Sequence, residues 1–120
     1  MSKKRKQLGD RGEDLAALFL QGKGFEILER QYKISAGEID LICRDKGEIV
    51  FVEVKTRQTE TFGYPEESVT PDKIRHIMSV VQNYLRKSFC EDAPWRVDIV
   101  AIQIKDSGPD IVHFEGIDMN

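Results

Sequence analysis

Apolar positions recur along the chain in two rhythms. Between residues 9 and 23, Leu15, Ala16, Phe19 and Leu20 return at helical spacing and Gly22 and Gly24 close the segment, which predicts a first helix. Residues 25–33 (FEILERQYK) predict a strand. Residues 38–44 and 48–56 predict two more, separated by Lys46-Gly47, a pair suited to a tight hairpin turn. Residues 57–70 are polar and hold Gly63 and Pro65, which predicts a loop. Thr70-Pro71 then offers an N-cap followed by proline at the first helical position. The helix that follows carries Ile74, Ile77, Met78, Val81 and Leu85 on one stripe. Residues 96–104 (RVDIVAIQI) predict a further strand and residues 110–114 a short edge strand. The expected fold class is α/β: one central mixed β-sheet flanked by helices, in the order αβββαβ(β).

Three charged residues interrupt the apolar hairpin: Asp40, Glu53 and Lys55. Side chains alternate between the faces of a strand, so Glu53 and Lys55 share a face with Phe51, and Asp40 shares one with Glu38 and Ile42. Ile39, Leu41 and Cys43 are expected on the other side. A two-residue loop at Lys46-Gly47 sets Asp45 against Glu48 and, continuing the register, Asp40 against Glu53. Carboxylates so opposed repel each other and need a proton or a cation. Lys55 is one built-in cation. Mg²⁺ or Mn²⁺ is the other, since hard oxygen ligands completed by water and substrate phosphate suit those ions. Such a centre polarises a phosphodiester and activates water, with Lys55 orienting that water or neutralising developing charge. A third carboxylate, Glu13, lies in the first helix above Ala16, Ala17 and Leu20, bordering its core-facing side. The plainer alternative is that Asp40 and Glu53 pair with Lys55 or Arg57 on a half-exposed sheet face.

Composition narrows the classes. A chain of 120 residues with 40% hydrophobic and 32% charged residues suits a single globular domain, 1–120. The net charge of −3 does not announce a nucleic-acid binder, although acids gathered at a metal site distort that sum. Lys3, Lys4, Arg5 and Lys6 predict a flexible basic tail over residues 1–7. Two cysteines, Cys43 and Cys90, without a CxxC pair fit a reducing cytoplasm and give no support for structural zinc. No apolar run approaches the ~20 residues of a membrane span, and no glycine-rich phosphate loop is present. His76 and His113 lack metal-ligand spacing and are expected to be structural. Asp98 is expected to pair with Arg96 on its own strand face.

The joined blocks GEIDLI (37–42) and VFVEVKTR (50–57) resemble the YraN-like family of uncharacterised bacterial proteins. That family is similar to the restriction-endonuclease-like PD-(D/E)xK superfamily, which includes archaeal Holliday-junction resolvases. Gly9, Gly12, Glu13 and Ala16 match the opening helix. Phe62-Gly63, Pro65, Thr70, Lys73 and Tyr84-Leu85 match the middle, and Arg96-Val97-Asp98 to Ile102 the late strand. Ile39 stands where the signature's name has proline.

The resemblance implies a metal-dependent endonuclease acting on nucleic acid, with DNA the expected substrate. Asp40, Glu53 and Lys55 take the three signature places, Glu13 matches a helix glutamate that assists metal binding, and the backbone carbonyl of Val54 is an expected further ligand. Arg57 and Lys73 are candidate phosphate contacts, set against a salt-bridge partner and a solvated helix lysine respectively. Glu38 is a candidate ligand for a second ion or an ordinary strand-end carboxylate. A homodimer would let so small a domain handle both strands of a duplex. The competing function is a catalytically silent nucleic-acid-binding or assembly module on the same fold.

Overall fold

The computed structural model describes residues 3–58 and 70–119. Helix α1 (Lys3–Gly22) is followed by β1 (Glu26–Ile34), β2 (Gly37–Asp45), β3 (Glu48–Arg57), helix α2 (Pro71–Lys87), β4 (Trp95–Lys105) and β5 (Gly108–Phe114). The five strands form one sheet in the order β1-β2-β3-β4-β5. All neighbours are antiparallel except β3 and β4, which run parallel with α2 between them in the chain. This is the central mixed sheet flanked by helices, in the order αβββαββ, anticipated from the sequence. The loop expected over 57–70 loses Arg57 to β3, and its stretch 59–69 lies outside the described residues.

Each helix covers one sheet face. Ala16, Leu20 and Phe25 pack with Leu41, Cys43, Val50, Val52, Val100 and Ile102 on one side. Ile77, Val80, Val81 and Leu85 pack with Ile42, Ile49, Phe51 and Val97 on the other. A strand covered on both faces reads as a continuous apolar run, which is why IVFV occupies β3. The hairpin takes the expected register, from Asp45↔Glu48 to Leu41↔Val52. Lys46 (φ 52) and Gly47 (φ 83) both adopt the left-handed conformation, which matches the twist of the flanking strands in a two-residue turn. Thr70 caps α2 by accepting the backbone N–H of Lys73 at 3.2 Å, with Pro71 opening the helix.

Two expectations are corrected. The segment expected as a basic tail is helical from Lys3, so α1 begins six residues earlier than its apolar pattern. Lysine, arginine, glutamine and leucine are good helix formers and carry the helix beyond its packed stripe. Strict alternation in β2 also fails: Ile39 packs on the α2 side with Ile42, while Leu41 and Cys43 pack on the α1 side. The strand changes face at Asp40.

Gly12 fixes how closely α1 approaches the sheet. A Cβ built there would lie 1.9 Å from the Thr56 hydroxyl oxygen and 2.9 Å from its Cβ. Gly12→Ala should therefore destabilise the fold by about 1–3 kcal/mol through overpacking, with partial recovery in Gly12→Ala/Thr56→Ala. Urea denaturation of the two variants measures this.

Candidate metal and nucleic-acid site

The charged residues gather where the β2–β3 hairpin opens, beyond the last paired residues Leu41 and Val52. There the Asp40 side chain replaces a ladder acceptor: its Oδ2 accepts the Val54 backbone N–H at 2.7 Å. Asp40 and Glu53 lie close enough that the Glu53 carboxyl bears on the titration of Asp40. Burial and the adjoining Glu53 carboxyl push Asp40 up from 3.8 to about 7, against the Val54 N–H and the Lys55 charge. Lys55 is pulled below its ordinary value by burial and by contact with Lys73, opposed by the charges of Glu53 and Asp40. Lys73 reaches in from the first turn of α2, its Nζ 3.6 Å from Glu53 Oε2. Two carboxyls and two ammoniums thus crowd one end of the sheet.

Glu13 lies across an open cavity of about 680 Å³ lined by Lys6, Asp10, Glu13, Gln31, Glu38 and Asp40, with Val54 and Thr56 on its wall. Its side chain is almost fully buried. Arg30 Nε donates to Oε1 at 3.1 Å and Gln31 Nε2 to Oε2 at 2.9 Å. Glu13 and Asp40 therefore share a cavity, while Glu53 and Lys55 bear on Asp40 electrostatically and Lys73 pairs with Glu53. The three acids do not collapse into one knot: among the described residues no three His, Cys, Asp or Glu side chains form a metal-holding group. Exposed Glu38 pairs in register with Lys33 at the cavity rim. Arg57 ends β3 exposed, without an ion-pair partner among the described residues.

The donor set fits a divalent cation. A carboxyl pushed to about 7 by burial and then by its neighbour marks a site that disfavours two unneutralised anions. Asp40, Glu53 and the Val54 carbonyl would offer only oxygen, which hard cations prefer. A pH trend follows for the metal-free protein. The folded value of Asp40 lies above its unfolded one, so the native state binds more protons between the two. Its contribution to stability is full below pH 3.8 and is lost as pH rises through about 7. Urea midpoints measured from pH 4 to 8 should show this decline, and it should disappear in Asp40→Asn.

Sequence reading missed Arg30 and Gln31 as the partners of Glu13. A conserved spacing rule for strands would place residues 30 and 31 on opposite faces, so nothing in the pattern joins them. A second polar cluster is centred on β4, where Asp98 stands in register with Val52. Asp98 is fully buried and accepts from Arg96 Nε at 2.9 Å and from the Gly116 N–H at 2.9 Å, with His113 Nε2 at 2.8 Å. Arg96 also donates to Glu48 at 2.6 Å. Lys23 Nζ stands 2.7 Å from His113 Nδ1. Lysine only donates, so Nδ1 accepts and the ring proton sits on Nε2, directed at Asp98. The expected Arg96–Asp98 pair is thus present, within a larger network. Among the described residues no helix is long and apolar enough to cross a membrane.

The profile of a family described as "Uncharacterised protein family UPF0102" matches residues 12–102. A UPF0102 protein from Geotalea uraniireducens is 45% identical over 111 residues, covering 92% of this chain and 87% of its own. One from Dehalococcoides mccartyi is 38% identical over 109 residues, covering 91% and 90%. Among solved structures, Pyrococcus furiosus SfsA in complex with Ca²⁺ is similar at a TM-score of 0.41 and 12% identity, over 95% of this chain and 65% of that one. SSO0001 is similar at a TM-score of 0.37 and 19% identity, over 93% of this chain and 53% of that one. By the family match and these relatives, the chain belongs to the UPF0102 family, in agreement with the YraN-like resemblance of its two strand blocks.

Proposed function

We propose that this chain is a divalent-metal-dependent endonuclease that hydrolyses phosphodiester bonds in nucleic acid, DNA foremost, in the cytoplasm. The carrying observation is the gathering of Asp40, held by the Val54 N–H, with Glu53, Lys55 and Lys73 at the open end of the hairpin. Asp40 and Glu53, with the Val54 carbonyl, would hold Mg²⁺ or Mn²⁺, and Glu13 supports the site from across the cavity. When bound, the ion supplies Lewis acidity toward the phosphodiester and lowers the pKa of water.

The chain's own groups do the rest. Depressed by burial and by Lys73, Lys55 is suited to exchange a proton or orient the attacking water at its Nζ. Lys73, loosely held at 3.6 Å from Glu53, neutralises charge on the phosphate. Arg57 extends the contact along the backbone of the nucleic acid, and Glu38 at the rim is the candidate ligand for a second ion. Handling both strands of a duplex calls for a homodimer.

The second reading is a catalytically silent binding or assembly module. The engagement of both Glu13 oxygens by Arg30 and Gln31, side chains of the protein itself, favours it. Purified protein with Mg²⁺ or Mn²⁺ should be assayed on single-stranded, duplex and branched DNA and on RNA, alongside Glu53→Ala. Cleavage lost in the variant supports the nuclease. Binding without cleavage, unchanged in Asp40→Ala and without divalent ions, supports the module.

A further inference from the structure

Gln31 sits inside β1 with a φ of 51, a left-handed conformation that a non-glycine residue rarely adopts in a strand. The ladder pairs Arg30↔Leu41 and Tyr32↔Ile39 on either side of it and skips the step between, where Gln31 faces Asp40. Both strands change face at that step. Arg30 and Leu41 lie on the α1 side, whereas Tyr32 and Ile39 pack on the α2 side. Regular alternation would keep each of those strand neighbours, 30 with 32 and 39 with 41, on one face.

The twist has a chemical result. Two consecutive strand residues normally point to opposite faces, yet Arg30 and Gln31 converge on one carboxylate, one donor to each oxygen of Glu13. Glu13 is only 5% exposed, so this two-point hold fixes its orientation. A carboxylate has about four lone-pair sites, so each oxygen keeps one for an occupant of the cavity. Backbone strain at a single residue persists where the surroundings over-determine it, and it concentrates at functional sites.

We propose that Gln31 is a positioning residue: its left-handed backbone and its side-chain amide aim Glu13 into the cavity it shares with Asp40, and so set the affinity of that cavity for a divalent cation. The inference rests on the metal-site reading above. Partners that orient a metal site's acceptors typically change affinity 10–100-fold when removed. Gln31→Gly keeps the conformation and deletes the amide, and Gln31→Asn tolerates the conformation and keeps a shorter amide.

The test is Mn²⁺ titration of wild type, Gln31→Gly and Gln31→Asn, read by electron paramagnetic resonance, with thermal melting of the same metal-free samples. The expected result is about tenfold weaker Mn²⁺ binding in Gln31→Gly, recovery toward wild type in Gln31→Asn, and little change in melting temperature. Wild-type affinity in Gln31→Gly overturns the positioning role, whatever the melting temperature does. Absence of Mn²⁺ binding in wild type overturns both this role and the metal-site reading, which separates the two failures.

Discussion

Asp40→Asn is expected to abolish divalent-dependent cleavage, by roughly 10³-fold or more, and at the same time to stabilise the metal-free protein at pH 8. Two opposing effects of one substitution make this a sharp test. Asparagine keeps an oxygen to accept the Val54 N–H, now made at 2.7 Å, and removes the charge that confronts Glu53. One pKa unit corresponds to about 1.4 kcal/mol. Asparagine still bears part of the cost of burial, so the gain at pH 8 should be about 1–2 kcal/mol. The difference should narrow as pH falls, being smaller at pH 5 than at pH 8, and vanish only below 3.8, where Asp40 is protonated in the unfolded chain as well. Urea denaturation at pH 5 and pH 8 reads the stability arm and the cleavage panel reads the other. A purely structural ion-pair cluster predicts the reverse: losing a carboxylate would leave Lys55 short of a partner and weaken the fold at pH 8.

Asp98→Ala should have the largest effect on stability. Asp98 is fully buried and holds Arg96, His113 and the Gly116 N–H. Removing one member of such a network strands the others, at a cost of about 3–5 kcal/mol. That is a large share of the roughly 5–15 kcal/mol a domain possesses. Asp98→Asn keeps the shape and should cost less, about 1–3 kcal/mol. Burial alone would raise Asp98, but the hydrogen bonds from His113, Arg96 and Gly116 outweigh it and hold the carboxyl below 3.8. Its contribution is therefore present above the unfolded value and lost as pH falls through the lower folded one, opposite in sign to the trend at Asp40. Urea melts at pH 7 give the loss. Cleavage per folded molecule should stay at the wild-type level in Asp98→Asn, because the network ties β4 and β5 to the hairpin turn through Arg96 and His113 and, among the described residues, makes no hydrogen bond or ion pair with Asp40, Glu53, Lys55 or Lys73.

Much of this was legible in the sequence because it is local. The Lys46-Gly47 turn sets the hairpin register, which runs to Leu41↔Val52, the pair next to Asp40 and Glu53. Thr70-Pro71 marks the start of α2, which carries Lys73 to the site. What escaped is non-local or breaks the rule used to read it. Alternation placed Ile39 beside Leu41, whereas the strand reverses face at Asp40 against the left-handed Gln31. Glutamine carries no signal for that conformation, as glycine or asparagine would. The partners of Glu13 come from β1 and those of Asp98 from β4, β5 and the segment beyond, contacts that a strand pattern does not specify. The basic run at residues 3–6 reads as a solvated tail by charge alone, yet it continues α1 and puts Lys6 on the cavity wall.

The central claim is that the Asp40–Glu53 pair holds a divalent cation. Mn²⁺ titration at pH 8, comparing wild type with Asp40→Asn and Glu53→Gln, tests it most directly. The account predicts a saturable site in the wild type that both variants lose. Binding of equal strength in all three proteins, or no binding in the wild type, would contradict it.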